Sequence, residues 1–246
     1  MQNFLYFYHC SMKTKLYLDI LPQPDDTACG PTSLHAVYRY FGDLLPLDQV
    51  VSGVKPLEDG GTLAVYLAHH ALDRGYRVTI YSYNLQIFDP TWFGKGERFI
   101  REKLYQQLKY KMDPRLQESI HAYIEFLDKN GKLRFEDLTA GLIRKYLNRS
   151  IPILTGLLST YLYQCARETI SHSKMVYDDV RGEPTGHFVI LAGYDKRLRK
   201  VLIVDPLRQN PYSSEQEYEV DIDHLICAIM LGILTYDANL LIIEPK

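Results

Sequence analysis

Two apolar runs late in the chain, His187 to Tyr194 and Lys200 to Asp205, are separated by a short charged stretch and read as two strands of one hairpin. The chain turns near residues 195 to 200, so His187, opening the first strand, and Asp205, closing the second, lie toward the same end of the pair. That spacing constrains the fold more than any other feature. Around it, Tyr76 to Tyr81 alternates like a strand, Ile151 to Leu157 reads as another, and Asn239 to Ile243 as a last one after a helix near Asp221 to Leu231. Upstream, Leu34, Val37, Tyr38 and Phe41 recur at helical spacing from Cys29; Pro31 suits a first turn and Gly42 ends the run. This predicts an amphipathic helix with Cys29 at its N-terminus. Thr62 to Arg74 reads as a second helix, closed by Gly75. Residues 95–148 form a helical section with periodic Leu104, Leu108, Leu116, Ile120, Ile124 and Leu127. Residues 158–184 carry no clear pattern. Helices first and a mostly antiparallel sheet later predict an α+β fold in a single domain over 1–246.

The 246 residues are 46% hydrophobic and 24% charged, enough to bury a sizeable core. A net charge of −2, with both signs mixed along the chain, offers no footprint for a nucleic-acid backbone or an anionic membrane. The aromatic opening, Met1 to Tyr8, lacks a basic flank and the length of a signal segment. The longest later apolar stretch, Ile222 to Leu234, is broken by His224 and Gly232 and falls short of the roughly 18 residues needed to span a bilayer. A soluble, cytoplasmic protein is expected. Met12 reads as an alternative start, which would make residues 1–11 a misannotated or loosely ordered extension. Cys10, Cys29, Cys165 and Cys227 lie far apart with no CxxC pair, disfavouring both a disulfide framework and a structural zinc site. Cys10, Cys165 and Cys227 are read as inert, half-buried thiols.

Cys29 differs because of where it sits. The free N–H groups and partial positive charge of a helix N-terminus favour thiolate, the reactive form of cysteine. An imidazole can hold that thiolate as an ion pair and later protonate a leaving amine, if a third group orients the ring. His187 and Asp205 supply both parts. Gln23, just upstream, offers a side-chain amide that could join the backbone N–H of Cys29 in an oxyanion hole.

These residues carry a resemblance. Gln23, then Cys29-Gly30-Pro31-Thr32-Ser33-Leu34 and Tyr40-Phe41-Gly42, and far downstream Gly186-His187-Phe188-Val189-Ile190-Leu191 with Val204-Asp205-Pro206, resemble family thirty-nine of the cysteine peptidases. That family includes bacteriocin-processing domains that cut leader peptides after two glycines. The likeness lies in two blocks, residues 20–82 and 184–207. It implies a papain-like fold, a Cys29–His187–Asp205 triad with Gln23 in the oxyanion hole, no cofactor, and a peptide or protein substrate. Many relatives are the N-terminal domain of a peptide exporter. No transmembrane or nucleotide-binding segment follows here, so a free-standing enzyme is implied, and the long helical section argues against carrying over the exporters' leader specificity. Hydrolysis, acyl transfer through the same thioester, and a catalytically silent peptide-binding module all remain compatible with the sequence. Such silent modules typically lose the cysteine or the histidine, and this chain keeps both.

Other candidates read as structural. His69 and His70 point about 100° apart on their helix and have no acidic or cysteine partner at ligand spacing, so a surface or capping role is expected. His35 falls on a different helix face from Cys29. His121, His172 and His224 have no motif around them. Gly60-Gly61-Thr62 lacks the lysine and spacing of a phosphate loop and reads as a turn into the next helix. The 20 tyrosines, without a basic stripe, are assigned to core, rim and peptide contacts rather than nucleic-acid stacking.

Overall fold

The computed structural model describes residues 13–58, 60–171 and 174–246. Cys10, His172 and the proposed extension, residues 1–11, lie outside them, as does Met12.

The late hairpin lies within the main sheet, with a strand on either side of it. Strands β7 (Gly186–Asp195) and β8 (Lys200–Val204) pair antiparallel, with Ile190 opposite Val204 and Asp195 opposite Lys200. Their nearly continuous burial shows that both faces are covered. The strands around them are β1 (Lys13–Lys15), β2 (Arg77–Ser82), β3 (Lys132–Arg134), β4 (Ile153–Leu158), β9 (Glu217–Asp221) and β10 (Asn239–Glu244). The order is β3-β2-β10-β4-β7-β8-β9, and β1 pairs with the far end of β7. Every pairing is antiparallel except β2 with β3. The remaining strands, β5 (Glu168–Ser171) and β6 (Lys174–Tyr177), form a separate small hairpin within the stretch left unassigned from sequence.

Helix α1 (Cys29–Tyr40) lies against β7 and β4 and is enclosed by α2 (Leu47–Gly53) and α3 (Ala64–Asp73). The expected one-sided amphipathic helix is corrected here: every residue from Cys29 to Tyr38 is buried, because the helix is covered on all sides. His35 is therefore a core residue, 3% exposed. Gly30 explains how closely α1 approaches the sheet. A Cβ there would stand 2.8 Å from Thr62 Cγ2 and 3.2 Å from the Phe188 ring, too near for any larger residue without displacement. Ser33 Oγ donates to the Phe188 carbonyl at 3.2 Å, fixing the first turn of α1 beside His187.

The section over 95–148 comprises α4 (Glu97–Gln107), α5 (Pro114–Asp128) and α6 (Ala140–Leu147). Asp113 caps α5 by accepting from the Leu116 N–H, with Pro114 in the first turn; Thr139 caps α6 similarly. Leu104, Leu116, Ile120, Ile124 and Leu127 are buried, as their spacing predicts, and Leu108 packs at the core's edge. The section is not wholly helical: β3 joins the main sheet parallel to β2, a three-residue strand too short to leave a periodic signal. Helix α5 packs on α3, where His69 Nε2 bonds the Ala122 carbonyl at 2.9 Å. His69 is 9% exposed, so the surface role expected for it is corrected to an interhelical one. The short α7 (Ser159–Tyr163) and the capped α8 (Ile222–Leu231) complete the fold. No helix among the described residues is long and apolar enough to cross a membrane.

Candidate active site

The N-terminus of α1 has no side-chain cap. Ahead of it, Asp25 Oδ1 accepts from the Thr27 N–H and hydroxyl at 2.8 and 2.7 Å, and the Ala28 N–H reaches the Asp25 carbonyl. This Asx-type turn delivers Cys29 to the first helical position and leaves the N–H groups there without a side-chain acceptor. Cys29 is 7% exposed and lines a cavity of about 690 Å³.

From the sheet, the hairpin places His187 and Asp205 at one end, as the spacing predicts. His187 Nε2 lies 2.8 Å from Asp205 Oδ1, both side chains buried. Burial alone would lower the imidazole's pKa. The Asp205 carboxylate and the Cys29 sulfur outweigh it and push the ring's pKa upward. Since Nε2 is committed to Asp205, the nitrogen left for Cys29 is Nδ1. Burial opposes ionisation of Asp205, yet its carboxyl is held below the ordinary range by the His187 charge and by hydrogen bonds from His187, Tyr218 and the Leu207 N–H.

Asp205 has more support than the sequence revealed. Oδ1 also accepts from the Leu207 N–H at 2.8 Å, while Oδ2 accepts from the Tyr163 and Tyr218 hydroxyls at 2.8 and 2.6 Å. Four donors on one buried carboxylate fix its plane and therefore the ring plane of His187. Tyr218 has a signal in the sequence, the alternation Glu217-Tyr218-Glu219-Val220 that turns Tyr218 inward. Tyr163, on the short α7, has none.

Gln23 lines a second cavity of about 260 Å³ together with His187, Tyr163 and Leu207. Its N–H is tied to the Pro206 carbonyl at 3.0 Å, which anchors this loop beside Asp205. Its side-chain Nε2 donates to the Asp25 carbonyl at 2.8 Å, and one of its two amide hydrogens remains for another acceptor. Asp26, Glu168, Met175, Thr185 and Gly186 line both cavities, so β5 and β6 border a cleft with Cys29 and His187 between its two arms. Cys29 thus lines the larger arm, His187 and Gln23 line the smaller, and Asp205 is buried behind His187.

The other cysteines are elsewhere. Cys165 is half-buried, and Cys227 is exposed rather than half-buried as expected. His70, at the base of α3, shares its Nδ1 with the Tyr38 hydroxyl at 2.8 Å. His224 stacks on Tyr161. Among the described residues no group of His, Cys, Asp and Glu is arranged to hold a metal ion.

Compared with known proteins, the chain matches the Peptidase_C39 like family over residues 15–225. No curated protein sequence matches it. Among solved structures it is similar to a protein from Bacillus anthracis described as C39-like, at 14% identity over 95% of this chain and 98% of that one, with a TM-score of 0.47. A double-glycine-motif protease from an AMS/PCAT transporter, solved with its leader peptide, aligns at 14% identity over 94% of each chain, TM-score 0.43. Xylellain, a cysteine protease from Xylella fastidiosa, aligns at 12% identity over 95% of this chain and 86% of that one, TM-score 0.42.

Proposed function

The chain belongs to the Peptidase_C39 like family, and from that membership and the grouping around Cys29 we propose that it is a cysteine peptidase acting on a peptide or protein substrate in the cytoplasm. The observation that carries the reading is the buried 2.8 Å contact of His187 with Asp205 beside a cysteine at an uncapped helix N-terminus.

In this reading the Cys29 sulfur, as thiolate, attacks the scissile carbonyl carbon and its electrons move onto the carbonyl oxygen. That oxyanion is received by the Cys29 N–H and the free amide hydrogen of Gln23. Collapse re-forms the carbonyl and expels the amine, which takes the proton from His187 Nδ1, leaving an acyl-thioester. His187, now neutral, removes a proton from water as the water attacks the thioester. Breakdown of the second tetrahedral species releases the acid and restores the thiolate–imidazolium pair. Asp205 stays ionised throughout and orients the ring.

The test is turnover of a peptide library, read by mass spectrometry. Cys29→Ala is expected to bind peptide and cleave none, and Gln23→Ala to cleave on the order of 10²-fold more slowly, the scale of one lost oxyanion donor. A Cys29→Ala protein that cleaves like the unsubstituted chain contradicts the proposal.

A further inference from the structure

The larger arm of the cleft contains an acidic group that the proposed reaction does not use. Asp237, just ahead of β10, lines the same cavity as Cys29 yet is only 6% exposed. Its Oδ1 is buried with no hydrogen-bond partner among the described residues. Two glycines make room for it. A Cβ on Gly156 would stand 2.6 Å from Asp237 Cγ, and one on Gly186, next to His187, would stand 3.3 Å from Asp237 Oδ2. A buried acceptor without a donor is costly, and folded proteins keep few of them. Charge in the rest of the cavity has one predominant sign. Asp26 and Glu183 are exposed, Glu168 is half-buried, and all three line it, against one cationic wall residue among those described, Arg115, whose guanidinium lies over the Tyr236 ring at 5.5 Å and whose charge also reaches Asp237. A substrate carboxylate would face four carboxyls here. An ammonium or guanidinium would find acceptors at every depth and would give Asp237 Oδ1 the donor it lacks.

We propose that this cavity is the subsite for a basic side chain of the substrate, with Asp237 accepting a hydrogen bond from it at the floor and Glu168 and Glu183 drawing its charge in. The inference rests on the cysteine-peptidase reading and adds the substrate class: peptides carrying lysine or arginine near the scissile bond. Asp237 is a specificity residue in this account, with no part in the bond-breaking steps.

The test uses peptidyl acyloxymethyl ketones identical except for lysine or norleucine at one scanned position, with the rate of Cys29 modification followed by mass spectrometry. At one position the lysine probe is expected to react about tenfold faster, the scale of one charge-assisted hydrogen bond. In Asp237→Asn that ratio should fall to within about twofold of one; should this variant not fold, Glu168→Gln is expected to lower the same ratio by a smaller factor. If norleucine equals or exceeds lysine at every position while the probes still modify Cys29, the subsite is overturned and the peptidase reading stands. If no peptidyl probe modifies Cys29 at all, both are overturned.

Discussion

Asp205 shows how much of this site is decided by single hydrogen bonds. Its carboxylate takes four donors, and two of them, the Tyr163 and Tyr218 hydroxyls, come from residues that no motif marks. Hydrogen bonds to a buried charge contribute about 1.5–3 kcal/mol each, so Tyr163→Phe and Tyr218→Phe should each lower unfolding stability by roughly that amount. Both should also reduce kcat with KM unchanged, and by less than Asp205→Asn, because they loosen the carboxylate without removing it; unchanged kcat in both would make the phenols purely structural. Asp237 makes a second prediction, through pH. Burial pushes its carboxyl up to about 8, against the opposing pull of Asn239, Arg115 and Thr235. The folded pKa is raised above the unfolded value of about 3.9. Its stabilising contribution is therefore complete below pH 4 and is lost as pH climbs through about 8. Asp237→Asn removes that dependence, so the variant's Tm should gain on the unsubstituted chain steadily between pH 4 and 8. A constant difference across that range would mean the carboxyl is not buried as described.

At the scale of elements, the hairpin of β7 and β8 was readable from the sequence because two apolar runs joined by a short charged turn leave one register at their ends. The helix after Cys29 was readable too, although its complete burial was not, since the residues that enclose it arrive from α2, α3 and β7. The small hairpin of β5 and β6 is not legible in the sequence because four-residue strands that pair chiefly with each other are too short to show alternation. It nonetheless borders both arms of the cleft. The section over 95–148 packs on the rest of the fold through α5, α6 and β3, and Ile120 of α5 is completely buried. Ile120→Ala should cost about 2–5 kcal/mol in denaturant unfolding, the range for emptying a buried aliphatic site. A loss near zero would show that α5 does not share the core. Arg115, in the first turn of α5, is the residue of this section that lines the Cys29 cavity. We expect Arg115→Ala to change which peptides are cleaved while Cys29 stays reactive towards a small alkylating agent; an unaltered cleavage profile would leave the section with a structural role only.

Across the whole molecule, the sequence singles out four candidate residues in two blocks of pattern, and the fold brings those blocks together by laying α1 against β7. Not legible in the sequence are groups defined only by tertiary contact: two phenols behind Asp205, and an acid beside Gly156 and Gly186. Tyr163 and Asp237 meet these partners, Asp205 and the two glycines, across 42 residues or more, with no local periodicity to mark them, and the alternation that turns Tyr218 inward does not say what its hydroxyl meets. The central claim, that the fold makes Cys29 a nucleophile, is tested most directly by limited iodoacetamide labelling with site-by-site mass spectrometry, on the unsubstituted chain and on His187→Ala. Access alone would favour Cys227, which is exposed, and disfavour Cys29, which is 7% exposed. The account predicts the reverse order near neutral pH, with Cys29 modified well ahead of Cys165 and Cys227, and a marked slowing of Cys29 alone in His187→Ala as the imidazolium is lost. Labelling that simply follows exposure, and is indifferent to His187, would contradict it.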